Sequence, residues 1–369
     1  MDLNEAMIGD LIRDYGPLTE HVAAAVRAIP RELFVPDGYF MTVAGSMPTA
    51  FRPVMPEDDD WREQCYARVP LVTQIAGTIN PRDVHGEIVR EPTSSMSDPS
   101  LVTLTLEEAD LRPGLRVLEL GAGTGWQAAL LSRIVGEDNV VTVETDPTIA
   151  RRAQIHLYGA GHHPEIIEGD GRAGYPAGGP YDRILATFGV ARIYPAWLEQ
   201  VKPGGIIMAN LRGRLEPSGL VRLVRQDDGT AVGGFISESS YMQARQEAPS
   251  AHLMLPDPST GRTRPTSLDP KTLHDNAARL VTESVAGGLQ WLAGLDVGDG
   301  PADWFVDTDT GAYAVVRETV HGFSVTEDPA HPVWGAIETA LAAWRDAGEP
   351  ETTRLFVTAS VDGHTIHFP

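Results

Sequence analysis

The chain has 369 residues, enough for two cores, and its 42% hydrophobic and 7% aromatic content is that of an ordinary globular protein. A formal net charge of −22 repels phosphate backbones and argues against DNA or RNA as a partner. The single cysteine, Cys65, excludes an internal disulfide and a Cys-rich metal cage, and reads as a small buried hydrophobe.

Residues 1–35 predict a cap of helices. Leu3, Met7 and Leu11 share one amphipathic face, and the Ala-rich helix in TEHVAAAVRAIPRELF ends near Pro30. Acidic residues stand where a signal peptide carries basic ones, and no apolar run approaches the ~20 residues of a membrane span; a soluble, cytoplasmic protein without membrane contact is expected. From 41 to 100 the pattern is turn-rich, with EDDDW (57–61) read as a solvated loop.

Between 101 and 235 short apolar runs alternate with helical stretches, which predicts a parallel sheet covered by helices on both faces. GLVRLVRQ and TAVGGFI then read as a hairpin across Asp228-Gly229. A stretch rich in Pro, Ser, Thr and Gly reads as a linker over 239–270. Residues 271–369 predict a small α+β domain: Val333, Trp334, Ile337, Leu341 and Trp344 line one helical face, and two strands pair across Asp362-Gly363. The expected organisation is therefore a helical cap and active-site segment (1–100), a cofactor-binding core (101–238), the linker, and an accessory, substrate-recognition domain (271–369).

The chemistry starts at VLELGAGTGWQAALLSRI (117–134). A dinucleotide loop needs a third glycine at the sixth position of its motif, and that position is Trp126. The loop is Gly121, Ala122, Gly123, Thr124 and Gly125, preceded by Glu119, a carboxylate that opposes a pyrophosphate and attracts an ammonium group. S-adenosylmethionine combines adenosine with an amino-acid ammonium and no phosphate. Glu144, at the end of the second strand, is placed to accept from the ribose hydroxyls. Asp170, at the end of the third, is placed to accept from the adenine amine, with the Gly171 amide beside it.

With these residues in place, the region from about 15 to 235 resembles the protein-L-isoaspartate O-methyltransferases, through AIPRELFVP (28–36), SSMSDPSLV (94–102), LRPGLRVLELGAGTGWQAALLSRIVG (111–136), EGDGRAGYPAGGPYDRIL (168–185) and LEQVKPGGIIMANL (198–211). The resemblance implies a Rossmann-like class I methyltransferase sheet, S-adenosylmethionine as cofactor and a peptide or protein acceptor. It puts Ser97 in the place of the active-site serine, flanked by Ser95, Met96 and Asp98 as substrate-binding positions, with Asp98 where the family usually has Gln. A carboxylate acceptor is already ionised at neutral pH, so a hydroxyl that orients it suffices; the same segment also reads as the N-cap of a helix.

The turn after the fourth strand, ATFGVARIYP, lacks the Asn/Asp-Pro-Pro-aromatic pattern of nitrogen methyltransferases, and no Cys is placed for a cytosine C5 enzyme. His162, His163, His364 and His367 read as loop and strand surface, and no metal site is expected. Similar proteins with a C-terminal extension occur beside genes for ribosomally made, modified peptides. With S-D-P and the insertion at 41–93, that resemblance leads to the expectation of an aspartyl methyltransferase acting on a cyclised peptide, whose ester closes to an aspartimide. The alternatives are an isoaspartyl repair methyltransferase with an accessory domain and a cofactor-binding scaffold without turnover.

Overall fold

The computed structural model describes residues 2–247 and 253–369. The chain forms two compact units: the first is Met1–Phe188, Ala196–Met208 and Val224–Gly229, the second Gly189–Pro195, Ala209–Leu223 and Thr230–Pro369.

In the first unit, α1 (Leu3–Tyr15) and α2 (Glu20–Ala28) form the N-terminal cap. Asp2 accepts from the Asn4 and Glu5 amides, satisfying orphan donors of the first turn. Met7, Ile8 and Leu11 are buried, and Asn4 donates to the Val26 carbonyl at 2.9 Å, tying the helices together.

Where the sequence reads as turns, four short strands build an antiparallel sheet in the order β2-β1-β3-β4: β1 (Tyr39–Thr42), β2 (Phe51–Val54), β3 (Leu71–Ile75) and β4 (Pro92–Met96), with α3 (Trp61–Gln64) between β2 and β3. Phe40, Phe51, Val72 and Ile75 form its core. The insertion is thus a framework whose last strand delivers the residues before Ser97.

After α4 (Pro99–Glu108) the sheet and its helices alternate: β5 (Val117–Leu120), α5 (Trp126–Val135), β6 (Val140–Glu144), α6 (Pro147–Gly159), β7 (Glu165–Glu168), β8 (Tyr181–Val190), α7 (Pro195–Gln200) and β9 (Val201–Leu211). β5 pairs in parallel with β6 and β8, and β6 with β7. Every residue of β5 and β6 is buried, as a parallel sheet covered on both faces requires.

The second unit takes in β10 (Gly219–Arg225) as far as Leu223 and all of β11 (Ala231–Ser237), two strands joined through the turn at Asp228-Gly229. The remaining elements are β12 (Arg262–Thr266), α8 (Asn276–Val285), β13 (Leu289–Asp296), β14 (Pro301–Asp307), β15 (Tyr313–Thr319), β16 (Gly322–Glu327), α9 (Val333–Asp346), β17 (Phe356–Ser360) and β18 (Gly363–His367). β12 to β16 form an antiparallel sheet in the order β12-β16-β15-β14-β13. Trp334 of α9 packs on Phe305, which stacks on Trp291, with ring centroids 5.2 and 5.7 Å apart.

The organisation differs from the expected one in two ways. The stretch 239–270 is not wholly a linker, because β12 pairs residue for residue with β16 from Arg262↔Glu327 to Thr266↔Phe323; residues 248–252 lie outside the described residues. β17 pairs with β11, not with the five-stranded sheet, so the second unit takes in segments from 189 onward. Pairing between positions so far apart in sequence leaves no compositional mark.

Candidate active site

The candidate site lies wholly in the first unit and is built around the turn from β5 into α5. Gly121, Gly123 and Gly125 all have positive φ (+99°, +53° and +91°), a region costly for any side chain. Space is short as well: a Cβ on Gly121 would meet Thr187 Oγ1 at 2.5 Å, closer than a Cβ can approach, and one on Gly123 would press on the Ser95 carbonyl oxygen at 3.2 Å. Ala122 accepts from the Gly125 amide at 2.9 Å, and His156 of α6 sets Nδ1 3.0 Å from the Thr124 carbonyl. Burial holds the His156 imidazole below its usual range, so it is neutral and Nδ1 donates. The glycine loop thus packs against β4, the strand that leads into the predicted serine.

Two carboxylates adjoin this loop and a third follows β7, each in a different state. Glu119 stands opposite Thr142 of β6 and is fully buried. Its Oε2 accepts from the Thr142 hydroxyl at 2.6 Å, while Oε1 is buried with no hydrogen-bond partner. Burial pushes its carboxyl up to about 8, against the Thr142 bond and with added repulsion from Glu144. An orphaned carboxyl oxygen beside a glycine cradle fits a cationic group, which would restore the lost hydrogen bond and hold the acid ionised.

Glu144 does something the sequence did not predict. Its Oε2 accepts from the Gly123 amide at 3.0 Å and its Oε1 from the Asp146 amide at 3.1 Å, so it clamps the loop to the second strand. Asp170 is held by Arg172, whose backbone amide and guanidinium donate to both of its oxygens at 2.7–3.1 Å. That pairing keeps the Asp170 carboxyl below the ordinary range. Gly171 sits under Phe188, where a Cβ would lie 2.9 Å from the ring, and its carbonyl accepts from Trp197 Nε1 at 2.9 Å. Phe188 also lies against Gly121, so one ring spans the first and third strand ends.

Ser97 follows β4 and is half-buried. The cap of α4 is Asp98, whose Oδ1 accepts from the Ser100 amide at 2.7 Å, so the serine hydroxyl is not spent on capping. Ser95 is half-buried on β4 opposite Val72. Met96 is only 2% exposed and packs in the core, away from a substrate-facing role.

Sequence reasoning missed Arg31. It is fully buried, donates to the Ser97 and Cys65 carbonyls, and stacks its guanidinium 4.5 Å from the centroid of Trp126. Its signal was PRELFVP, a motif of the resemblance to which no role was attached. Cys65 is buried as expected, and burial pushes its thiol up to about 12.

An open cavity of about 540 Å³ lies elsewhere, between α6 and β7, lined by Pro147, Arg151, Gln154 and Glu168 among others, and shares no residue with the loop. Among the described residues there is no group of three His, Cys, Asp or Glu able to hold a metal, and no helix long and apolar enough to cross a membrane.

Against known proteins, residues 73–247 match the family described as protein-L-isoaspartate(D-aspartate) O-methyltransferase. The chain is 30% identical over 228 residues to the protein-L-isoaspartate O-methyltransferase of Ignicoccus hospitalis, spanning 61% of this chain and 90% of that one. It is 32% identical over 209 residues to the enzyme of that name from Hyperthermus butylicus, spanning 54% and 70%. A solved structure titled protein-L-isoaspartate O-methyltransferase superposes with a TM-score of 0.58 at 22% identity, covering 99% of each chain.

Proposed function

As the chain belongs to the protein-L-isoaspartate O-methyltransferase family, we propose that it transfers the methyl group of S-adenosylmethionine to the free carboxylate of isoaspartyl residues in peptides and proteins. The observation that carries this reading is the juxtaposition of an orphaned buried carboxyl, Glu119, and a glycine cradle with a serine whose hydroxyl is left over from helix capping.

When bound, S-adenosylmethionine supplies a sulfonium-activated methyl that leaves its sulfur as a neutral thioether. The residues of the chain have binding and alignment to do. Glu119 takes the ammonium and Glu144 the ribose hydroxyls, while Asp170 and the Gly171 amide take the adenine. Ser97 donates its hydroxyl to one oxygen of the acceptor carboxylate and leaves the other oxygen directed at the methyl. No proton moves in the transfer, because the acceptor is already ionised. The site gains rate by orientation and exclusion of water.

Esterification of an ordinary aspartate in a ribosomally made peptide, closing to an aspartimide, is the finer reading that the S-D-P segment, the insertion and the extension had favoured. Each now has another explanation. Asp98 caps α4, and the insertion folds as the sheet that carries β4. The length of the extension is matched in a solved structure covered over 99% of both chains. The isoaspartyl acceptor is therefore preferred.

The test is methyl transfer from labelled cofactor to an isoaspartyl peptide, its aspartyl isomer and a macrocyclic aspartyl peptide. Turnover confined to the isoaspartyl peptide is expected. Turnover of the macrocycle alone would establish the peptide-maturation reading, and cofactor binding without ester on any of them would make the chain a scaffold.

A further inference from the structure

The segment Pro30–Phe34 is part of the family resemblance, yet none of its residues is among those assigned to the cofactor. We propose that Arg31 is a positioning residue for the methyl transfer, setting Ser97 at a fixed distance from the helix that begins at the glycine loop. This rests on the reading of Ser97 as the residue that orients the acceptor.

Nε of Arg31 donates to the Cys65 carbonyl at 2.6 Å, and Nη1 and Nη2 both donate to the Ser97 carbonyl at 3.2 Å. The flat face of the guanidinium lies on Trp126, the first residue of α5, immediately after Gly125. Trp126 is itself fixed, its Nε1 donating to the Ile29 carbonyl at 3.2 Å, so the stack has no freedom to slide. One rigid fork therefore touches the serine's own peptide group and the residue that ends the cofactor loop.

A stability device would not need this group. Burying a cation is costly when its hydrogen-bond partners are neutral carbonyls, and a packed apolar side chain would fill the space at lower cost. Burial lowers the guanidinium to about 10, and the charge of Asp98 opposes that only in part. What arginine alone offers is a planar, multidentate donor that also stacks, which fixes direction as well as distance. Ser97 is then held from both sides, its carbonyl by Arg31 and its following residue by the Asp98 cap on α4. Neither constraint uses its hydroxyl.

The experiment uses the full chain with S-adenosylmethionine and an isoaspartyl peptide, comparing Ser97→Ala, Arg31→Lys and the double variant. Lysine keeps the charge but cannot engage two carbonyls and a ring at once. Arg31→Lys is expected to lower kcat about 100-fold, the cost of misplacing reactants by about 1 Å, with KM and the affinity for S-adenosylhomocysteine changed by less than about twofold. The double variant should be no slower than the slower single one, because Arg31 acts through Ser97. Full kcat in Arg31→Lys, or losses that multiply in the double variant, would overturn the inference. Full turnover in Ser97→Ala would instead remove the serine reading, and the inference with it. Should Arg31→Lys not fold, Trp126→Phe keeps the guanidinium bonds while weakening the stack. It should lower kcat several-fold at unchanged cofactor affinity, and wild-type kcat there would count against Arg31.

Discussion

Glu119 gives the site a pH dependence that can be worked out from its surroundings. With its carboxyl pushed up to about 8 by burial, it is mostly protonated near neutrality: about one molecule in ten carries the charge at pH 7. A bound ammonium group against Oε1 favours the ionised form, so cofactor binding must release a proton, close to 0.9 of one at about pH 7. Each pH unit well below the titration point then weakens binding about tenfold, or about 1.4 kcal/mol, and the slope halves at that point, so affinity should rise roughly 50-fold from about pH 6 to about pH 8. The assay is calorimetry with S-adenosylhomocysteine, which keeps the ammonium, in two buffers of different ionisation enthalpy. Glu119→Gln serves as the reference that subtracts titration of the ligand itself, and its affinity should be lower and flat with pH. Stability of the ligand-free chain runs the opposite way with pH. A carboxyl raised in the folded state contributes stability that is full below the ordinary carboxyl range and lost as pH rises through about 8. Glu119→Gln should therefore melt higher than the wild type at alkaline pH. Wild-type affinity that is flat across that range, with no proton released, would refute the assignment of Glu119 to the ammonium.

Three further outcomes are expected. Glu144→Ala removes the acceptor for the Gly123 and Asp146 amides, at about 1.5–3 kcal/mol for each charge-assisted bond, so both the melting temperature and S-adenosylhomocysteine affinity should fall; unchanged affinity by calorimetry would take Glu144 out of the site. Gly121→Ala forces a Cβ to 2.5 Å from Thr187 Oγ1 at a φ of +99°, and should destabilise the chain in thermal melts and abolish measurable cofactor binding. Asp98→Ala should cost about 1 kcal/mol more in denaturant unfolding than Asp98→Asn, which keeps the α4 cap and loses only the charge that supports the buried Arg31.

The alternating core was legible because buried parallel strands and amphipathic helices write their period into the sequence, and the acidic strand ends were legible because the chain order of a doubly wound sheet fixes where they emerge. The sheet at 39–96 was not. Its strands are four or five residues long, β2 contains Pro53, β4 begins with Pro92, and the β3–β4 pairing shifts register between Val72 and Ile75. Thr142 could not be assigned to Glu119 without the β5–β6 register that sets them opposite each other. The Arg172–Asp170 pair was within reach, since a single residue separates the carboxylate from the guanidinium in EGDGR. Arg31 was out of reach. Its partners are backbone carbonyls at 65 and 97 and a ring at 126, and a carbonyl has no sequence signature.

The three carboxylates also explain how an acidic chain, at −22 overall, can present a site for a cation without tearing it open. The negative charge of each is met separately: by protonation at buried Glu119, which Glu144 repels, by backbone amides where Glu144 holds the loop, and by a guanidinium at Asp170. Only Glu119 lacks a partner for one oxygen, so a cationic ligand adds most by meeting that group. On the acceptor side no general base is needed, because the nucleophile arrives ionised and leaves as a neutral ester. What remains for the fold is geometry. A fully buried arginine joining the serine segment to the first turn of α5 therefore belongs with the chemistry, since in a reaction without proton transfer an error of distance is the main way to lose rate.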